Sequence, residues 1–221
     1  MSELKSKCIA CDGTGKKMNK EYLFPKWLIH RTKTHKTNIR WHEGKKIPGL
    51  AATLPICEEC NVLLGAELES PVAQIFDSLE NEKGISDFEA ELLIRWLWKM
   101  DGMYWKGNNP NCVYSEKYTL KDRALNPIDE VRPNLVLAIS IIQTIDLGFE
   151  DSPMRIDSLN EVDGIFVACV FSRIAIMVTL GCFNDLIPIN FSTYHLEENL
   201  DEKIQAKSSF PRKGSKTVQK Q

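Results

Sequence analysis

Four of the seven cysteines form two pairs, Cys8/Cys11 and Cys57/Cys60, each split by two residues. A CxxC unit offers two thiolates from one short segment. Two units supply the four soft ligands of a tetrahedral zinc site, with Zn–S distances of about 2.3 Å. In a reducing compartment this spacing reads as metal before disulfide. Gly13 and Gly15 follow the first pair and Asn61 and Gly65 the second, residues that suit the sharp backbone of a knuckle. The loop between the pairs is long, but closure entropy grows only logarithmically with length. The remaining cysteines, Cys112, Cys169 and Cys182, read as packing residues.

Further residues capable of chemistry lie between and after the pairs. Glu21-Tyr22-Leu23-Phe24-Pro25-Lys26-Trp27-Leu28 follows the first. Cys57-Glu58-Glu59-Cys60-Asn61 then runs into an apolar stretch ending in Leu68-Glu69, and Trp96-Leu97-Trp98-Lys99-Met100 comes later. Over roughly residues 5–105 this order resembles the cysteine-containing HNH endonucleases, whose bacterial members carry an acidic residue and a histidine before FPKWL, and CxxCN at the second pair. The resemblance implies a ββα-metal module stiffened by a separate structural zinc. It implies that Glu21 and Asn61 hold a catalytic Mg or Mn ion, and that an active member hydrolyses phosphodiesters. The base position, where the family has histidine, is Tyr22.

That exchange matters physically. A histidine with a pKa of about 6.5 is an available base at neutral pH, whereas a tyrosine near about 10 is roughly a thousandfold short of its phenolate. The shortfall is on the order of 4 kcal/mol of barrier. The centre therefore reads as degenerate, and packing of Tyr22 beside Phe24 and Trp27 is the competing account. His30, His35 and His42 share the insert and read as solvated surface residues.

The formal charge of −2 hides a segregation of sign. Residues 1–46 carry twelve basic side chains against Glu3, Asp12, Glu21 and Glu43. Within them Lys26, Arg31, Lys33, Lys36 and Arg40 interleave with Trp27 and Trp41, a pattern suited to neutralising phosphates in a salt-dependent way. A solvated loop is the plainer reading of the same residues. The acidic run over 80–91 reads as a solvated helix face, and Trp96, Trp98 and Trp105 as core packing. The first unit also matches the CxxCxGxG repeat of DnaJ-type chaperones, but the second does not repeat it. Gly13-Thr14-Gly15-Lys16 lacks the spacing of a phosphate loop.

The elements that must position these residues follow from periodicity. Residues 1–70 show no sustained period, as expected of a loop-rich metal module. Ser70 and Pro71 open a predicted helix, and Ser86 with Glu89 has capping-box spacing ahead of a stronger one carrying Leu92, Leu93, Trp96, Leu97 and Met100. Gly102 and then the Gly107-Asn108-Asn109-Pro110 run are expected to end it. Residues 113–120 are short and mixed, 135–145 are apolar and β-branched, and 165–180 form one long strand or two joined tightly. Ser172 and Arg173 interrupt the last stretch, which argues against a membrane span. Leu196, Leu200 and Ile204 suggest a final helix.

The expected architecture is α+β. It comprises a zinc-stabilised HNH-like ββα-metal module (1–70), a helical segment packing on it (71–107), a small β-containing C-terminal domain (108–206) and a disordered basic tail (207–221). No basic-then-apolar leader opens the sequence, so a soluble cytoplasmic protein is expected. Two functions are carried forward. One is a nucleic-acid-binding HNH-like protein, DNA first, in bacterial or phage DNA conflict, with metal-dependent endonuclease activity left open by the degenerate centre. The other is a non-catalytic zinc-knuckle module that binds a protein partner through its C-terminal domain.

Overall fold

The computed structural model describes residues 7–33, 35, 38–40, 46–109, 118–128, 134–141, 154–161, 164–171, 174–181, 183–187, 189 and 191–195. Lys36, Trp41, His42, Cys112, Cys182, the helix expected around Leu196–Ile204 and the basic tail lie outside them.

The N-terminal third is more regular than its lack of periodicity suggests. Strand β1 (Met18–Tyr22) leads into helix α1 (Lys26–Thr32), which begins after Pro25 and ends at Lys33 in the left-handed conformation. Strands β2 (Asn38–Arg40) and β3 (Lys46–Pro48) pair with each other, and β4 (Thr53–Cys57) returns antiparallel to β1, Glu21 opposite Leu54. Helix α2 (Glu58–Leu64) starts at the next residue, with extended Cys57 as its N-cap. These elements are too short for a helical or strand period to register.

Helix α2 does not stop where a cap at Ser70 would require. It passes through a π-helical segment, Gly65–Glu69, into α3 (Ser70–Glu80), and Glu69 and Ser70 both hold helical angles. Pro71 is the physical reason. It has no N–H for the turn before it, and a widened turn accommodates the missing bond without breaking the helix. Gly65, expected in a sharp turn, is itself helical.

Helix α4 (Asp87–Asn108) opens on the expected capping box: Ser86 accepts from the Glu89 amide, and Glu89 accepts from the Ser86 amide at 2.7 Å. It runs straight through Gly102, which is buried; the roughly 1 kcal/mol penalty of an interior glycine is small beside the packing of a helix this buried. A second capping box, Thr119 with Asp122, opens the short α5 (Leu120–Leu125). The acidic run is less uniformly solvated than expected. Glu91 is buried, with an oxygen 3.6 Å from Arg95 Nε.

The C-terminal part is a five-stranded antiparallel sheet. Its strands are β5 (Leu135–Ile141), β6 (Met154–Glu161), β7 (Gly164–Phe171), β8 (Ile174–Gly181) and β9 (Ser192–His195), in the order β6-β7-β8-β5-β9. The apolar stretch over 165–180 is thus two strands of a tight hairpin. One face carries Val167, Cys169, Phe171, Ile174, Ile176, Val178, Leu135, Leu137 and Ile139, all buried in the same core as the N-terminal elements. Phe171 joins the two: its ring lies 5.5 Å from Trp96, 6.0 Å from Phe76 and 6.4 Å from Phe24, centroid to centroid. Among the described residues no helix is long and apolar enough to cross a membrane.

Candidate functional site

The sulfurs of Cys8, Cys11, Cys57 and Cys60 all lie within 4.8 Å of one another. A tetrahedron with Zn–S bonds of about 2.3 Å has edges of about 3.8 Å, and Cys11 and Cys57 are already 3.9 Å apart. Four thiols so placed suit a structural zinc. Among the described residues this is the one gathering of three or more metal-ligating side chains.

The backbone explains the convergence. In the first pair the Cys8 amide donates to the Gly13 carbonyl at 2.9 Å, and the Asp12 amide donates back to Cys8 at 2.9 Å. Asp12 and Gly15 both take positive φ, +55° and +70°. At Gly13 a Cβ would stand 3.2 Å from Cys11 Sγ, so a side chain there presses on a ligand. The second pair needs no turn, because a strand end and the first helical turn bring Cys57 and Cys60 together. The Cys57 amide donates to Cys8 Sγ at 3.3 Å, linking the pairs. Lys106 of α4, nearly buried, donates to the Ile9 carbonyl at 3.1 Å and to Asp12 at 2.8 Å, anchoring the first knuckle to the long helix.

Environment separates the thiols. Burial pushes Cys8 up, and burial followed by its sulfur neighbours pushes Cys60 far up. Cys57 resists burial: the Cys60 amide, then the surrounding thiols, hold it below the ordinary thiol range. A cation bound to the four sulfurs must therefore displace protons held unusually tightly at Cys8 and Cys60.

Glu21 lies elsewhere. It occupies the face of β1 turned to α4, where Lys99 Nζ donates to its Oε1 at 2.6 Å. The same ammonium donates to Glu69 Oε1 at 2.6 Å. Glu69 stands at the end of the π segment and receives two more donors, the indole N–H groups of Trp27 at 3.0 Å and Trp96 at 3.2 Å. Lys99 has no solvent exposure, while Glu21 and Glu69 keep 15% and 13%. Burial alone would lower the ammonium's pKa, but the charges of Glu69 and then Glu21 outweigh it and hold the value above the usual lysine range.

Tyr22, next in the strand, takes the other face. It is half-buried and outside the shared core, with Lys26 Nζ 5.0 Å above its ring. Trp27 packs on Phe76 and Trp96 at 5.2 and 5.8 Å, centroid to centroid. Asn61 lies half-buried in α2 immediately after Cys60.

Of the basic insert, Lys26 and Lys33 are exposed. Arg31 is half-buried and committed to partners within the chain, bonded at the surface to Asp77 and Glu80 of α3 with its guanidinium 5.9 Å from the Trp27 ring. Arg40 belongs to β2, and its side chain lies outside the described residues. His30 and His35 are exposed.

Sequence reasoning missed the socket of Glu21, Lys99, Glu69, Trp27 and Trp96. A signal existed: Lys99 interrupts the apolar stripe of α4 between Trp98 and Met100, and a lysine there must find carboxylates. Compared with protein-family models, curated proteins and solved structures, the chain finds no match.

Proposed function

We propose that the chain is a nucleic-acid-binding module of HNH type, built on one structural zinc, that holds DNA without cutting it. One observation carries this reading. β1 and β4 pair antiparallel, α2 follows β4 with no intervening residue, and the four cysteines cluster where that strand–strand–helix unit meets the first knuckle. A strand pair running into a helix is the core of the ββα module that the resemblance implies, here with α1, β2 and β3 inserted between the two strands. The absence of cleavage follows from two placements. Glu21 is engaged by an ammonium, and Tyr22, standing where the family has histidine, lies on the other face of β1 beneath Lys26 Nζ. Exposed Lys26 and Lys33 supply phosphate contacts, with bacterial or phage DNA conflict as the setting.

Zinc content and a DNA titration test this together. One zinc per chain is expected. Fluorescence anisotropy of a labelled duplex should show binding that weakens steeply with salt, the slope of log K against log salt changing by about 0.9 for each phosphate contact removed, as in Lys26→Ala. Supercoiled plasmid should stay intact in Mg²⁺ or Mn²⁺. Failure to bind any duplex at low salt overturns the reading.

A second reading, a module that binds a protein partner, is favoured by the internal engagement of Arg31 by Asp77 and Glu80, which removes one phosphate ligand from the insert. It predicts one zinc but no salt-dependent DNA binding.

A further inference from the structure

We propose that Lys99 is the resident cation of the Glu21 site, filling between Glu21 and Glu69 the position that a divalent ion would otherwise hold. Two carboxylates, one from β1 and one from the π segment, converge on a single point in the core. Paired carboxylate oxygens are the ligands that Mg²⁺ and Mn²⁺ take. At that point stands the Lys99 ammonium, without solvent exposure and 2.6 Å from an oxygen of each.

The residues do not fit a further ion. Glu69 is already engaged at both oxygens, Oε1 receiving Lys99 and Trp96 and Oε2 receiving Trp27. Glu21 Oε1 is taken by Lys99. Only Glu21 Oε2 accepts nothing from a described residue, and one oxygen is a poor anchor for an ion that demands near-octahedral coordination. An incoming divalent cation would also be repelled by the ammonium already held between the two carboxylates. The two indoles hold Glu69 in the orientation that receives Lys99, so the arrangement is a built socket. Its cation is tethered covalently, and neither chelators nor the supply of divalent ions changes its occupancy.

The biological sense of this proposal rests on the non-cutting reading above. Its test involves no nucleic acid, so the two fail separately. Zinc-loaded full-length chain is titrated with Mn²⁺, and free Mn²⁺ is read by electron paramagnetic resonance, for wild type, Glu21→Gln, Lys99→Ala and the Lys99→Ala/Glu21→Gln double variant. Wild type and Glu21→Gln should leave Mn²⁺ equally free. Lys99→Ala should bind one ion at least tenfold more tightly than wild type, in the range of weak carboxylate sites, about 10⁻⁴–10⁻³ M. The double variant should lose that gain. Mn²⁺ uptake by wild type that Glu21→Gln abolishes overturns the proposal, as does a folded, zinc-retaining Lys99→Ala that binds no more than wild type. If Lys99→Ala loses zinc or its circular dichroism, Lys99→Gln replaces it under the same criteria, and the wild-type comparison stands regardless.

Discussion

An ammonium with no water around it survives only where carboxylates surround it, so Lys99 makes sharp demands on its neighbours. Removing one partner of a buried ionic group leaves the other charge stranded, at about 3–5 kcal/mol. Lys99→Met should therefore lower stability by that amount, read as a shift of the urea midpoint at unchanged slope. Lys99→Met/Glu21→Gln should recover part of it, since one stranded carboxylate is neutralised. The pH dependence has a definite sign. Lys99 is held above its ordinary pKa, so its contribution is complete below about 10.4 and is lost as pH climbs through the raised value. Lys99 should thus add no slope to wild-type stability between neutral pH and about pH 9, and urea midpoints measured across that window check it. At this scale the cysteines were legible and the socket was not. Zinc ligation constrains spacing along the chain, which a sequence displays directly. Glu21, Glu69 and Lys99 meet only because a hairpin, a π segment and a long helix bring them together, and no local spacing encodes that.

Helix α4 is the element whose start was most plainly written, since a capping box is a local hydrogen-bond exchange between residues three apart. Ser86 and Glu89 make both bonds at an exposed end. Ser86→Ala should cost about 1 kcal/mol, lowering the thermal midpoint by a few degrees without altering zinc content. The same logic was available at Thr119 and Asp122, which open α5. Asp122 is held below the ordinary carboxylate range by the Thr119 hydroxyl and then its amide, a mark of that cap in use. Of the helix ends inferred from helix-breaking residues, the stop at Gly107-Asn108-Asn109 holds, α4 ending at Asn108, but two others do not. Ser70 and Pro71 look like a start, yet the chain reaches them already helical, and Gly102 looks like a stop yet is buried mid-helix. A cap depends on its own neighbours, whereas a break is overridden whenever packing on either side is strong enough. The π segment shows what such an override leaves behind: the widened turn ends at Glu69, the carboxylate that Lys99 and two indoles share.

On the scale of the whole molecule, one core runs from the cysteine cluster to the sheet. Cys8, Cys57 and Cys60 belong to the same buried set as Phe76, Trp96, Phe171 and Ile176. Charge and composition separate the basic N-terminal part from the apolar C-terminal strands, but the rings of Phe24, Phe76, Trp96 and Phe171 pack across that division. Removing the metal should therefore reach far beyond the knuckles. Four thiols gathered in a core are stabilised by zinc to the extent that it binds the folded chain alone, an effect of about 10–16 kcal/mol in isolated zinc modules. Without it, burial keeps Cys8 and Cys60 protonated and the two knuckles lose the tie between them. A chelator added during a urea titration should lower the midpoint and release zinc, red-shift tryptophan emission and melt the strand signal of the circular dichroism in one coincident transition. Cys169 gives an internal clock for the sheet. Burial in the core pushes its thiol well above the ordinary range, so it should resist alkylation in the zinc-loaded chain. Mapped by mass spectrometry, its modification should appear at the midpoint at which zinc leaves. Were the sheet to stand alone, Cys169 would stay protected after Cys8 and Cys60 had become reactive, and the shared core would then contribute little to cooperativity.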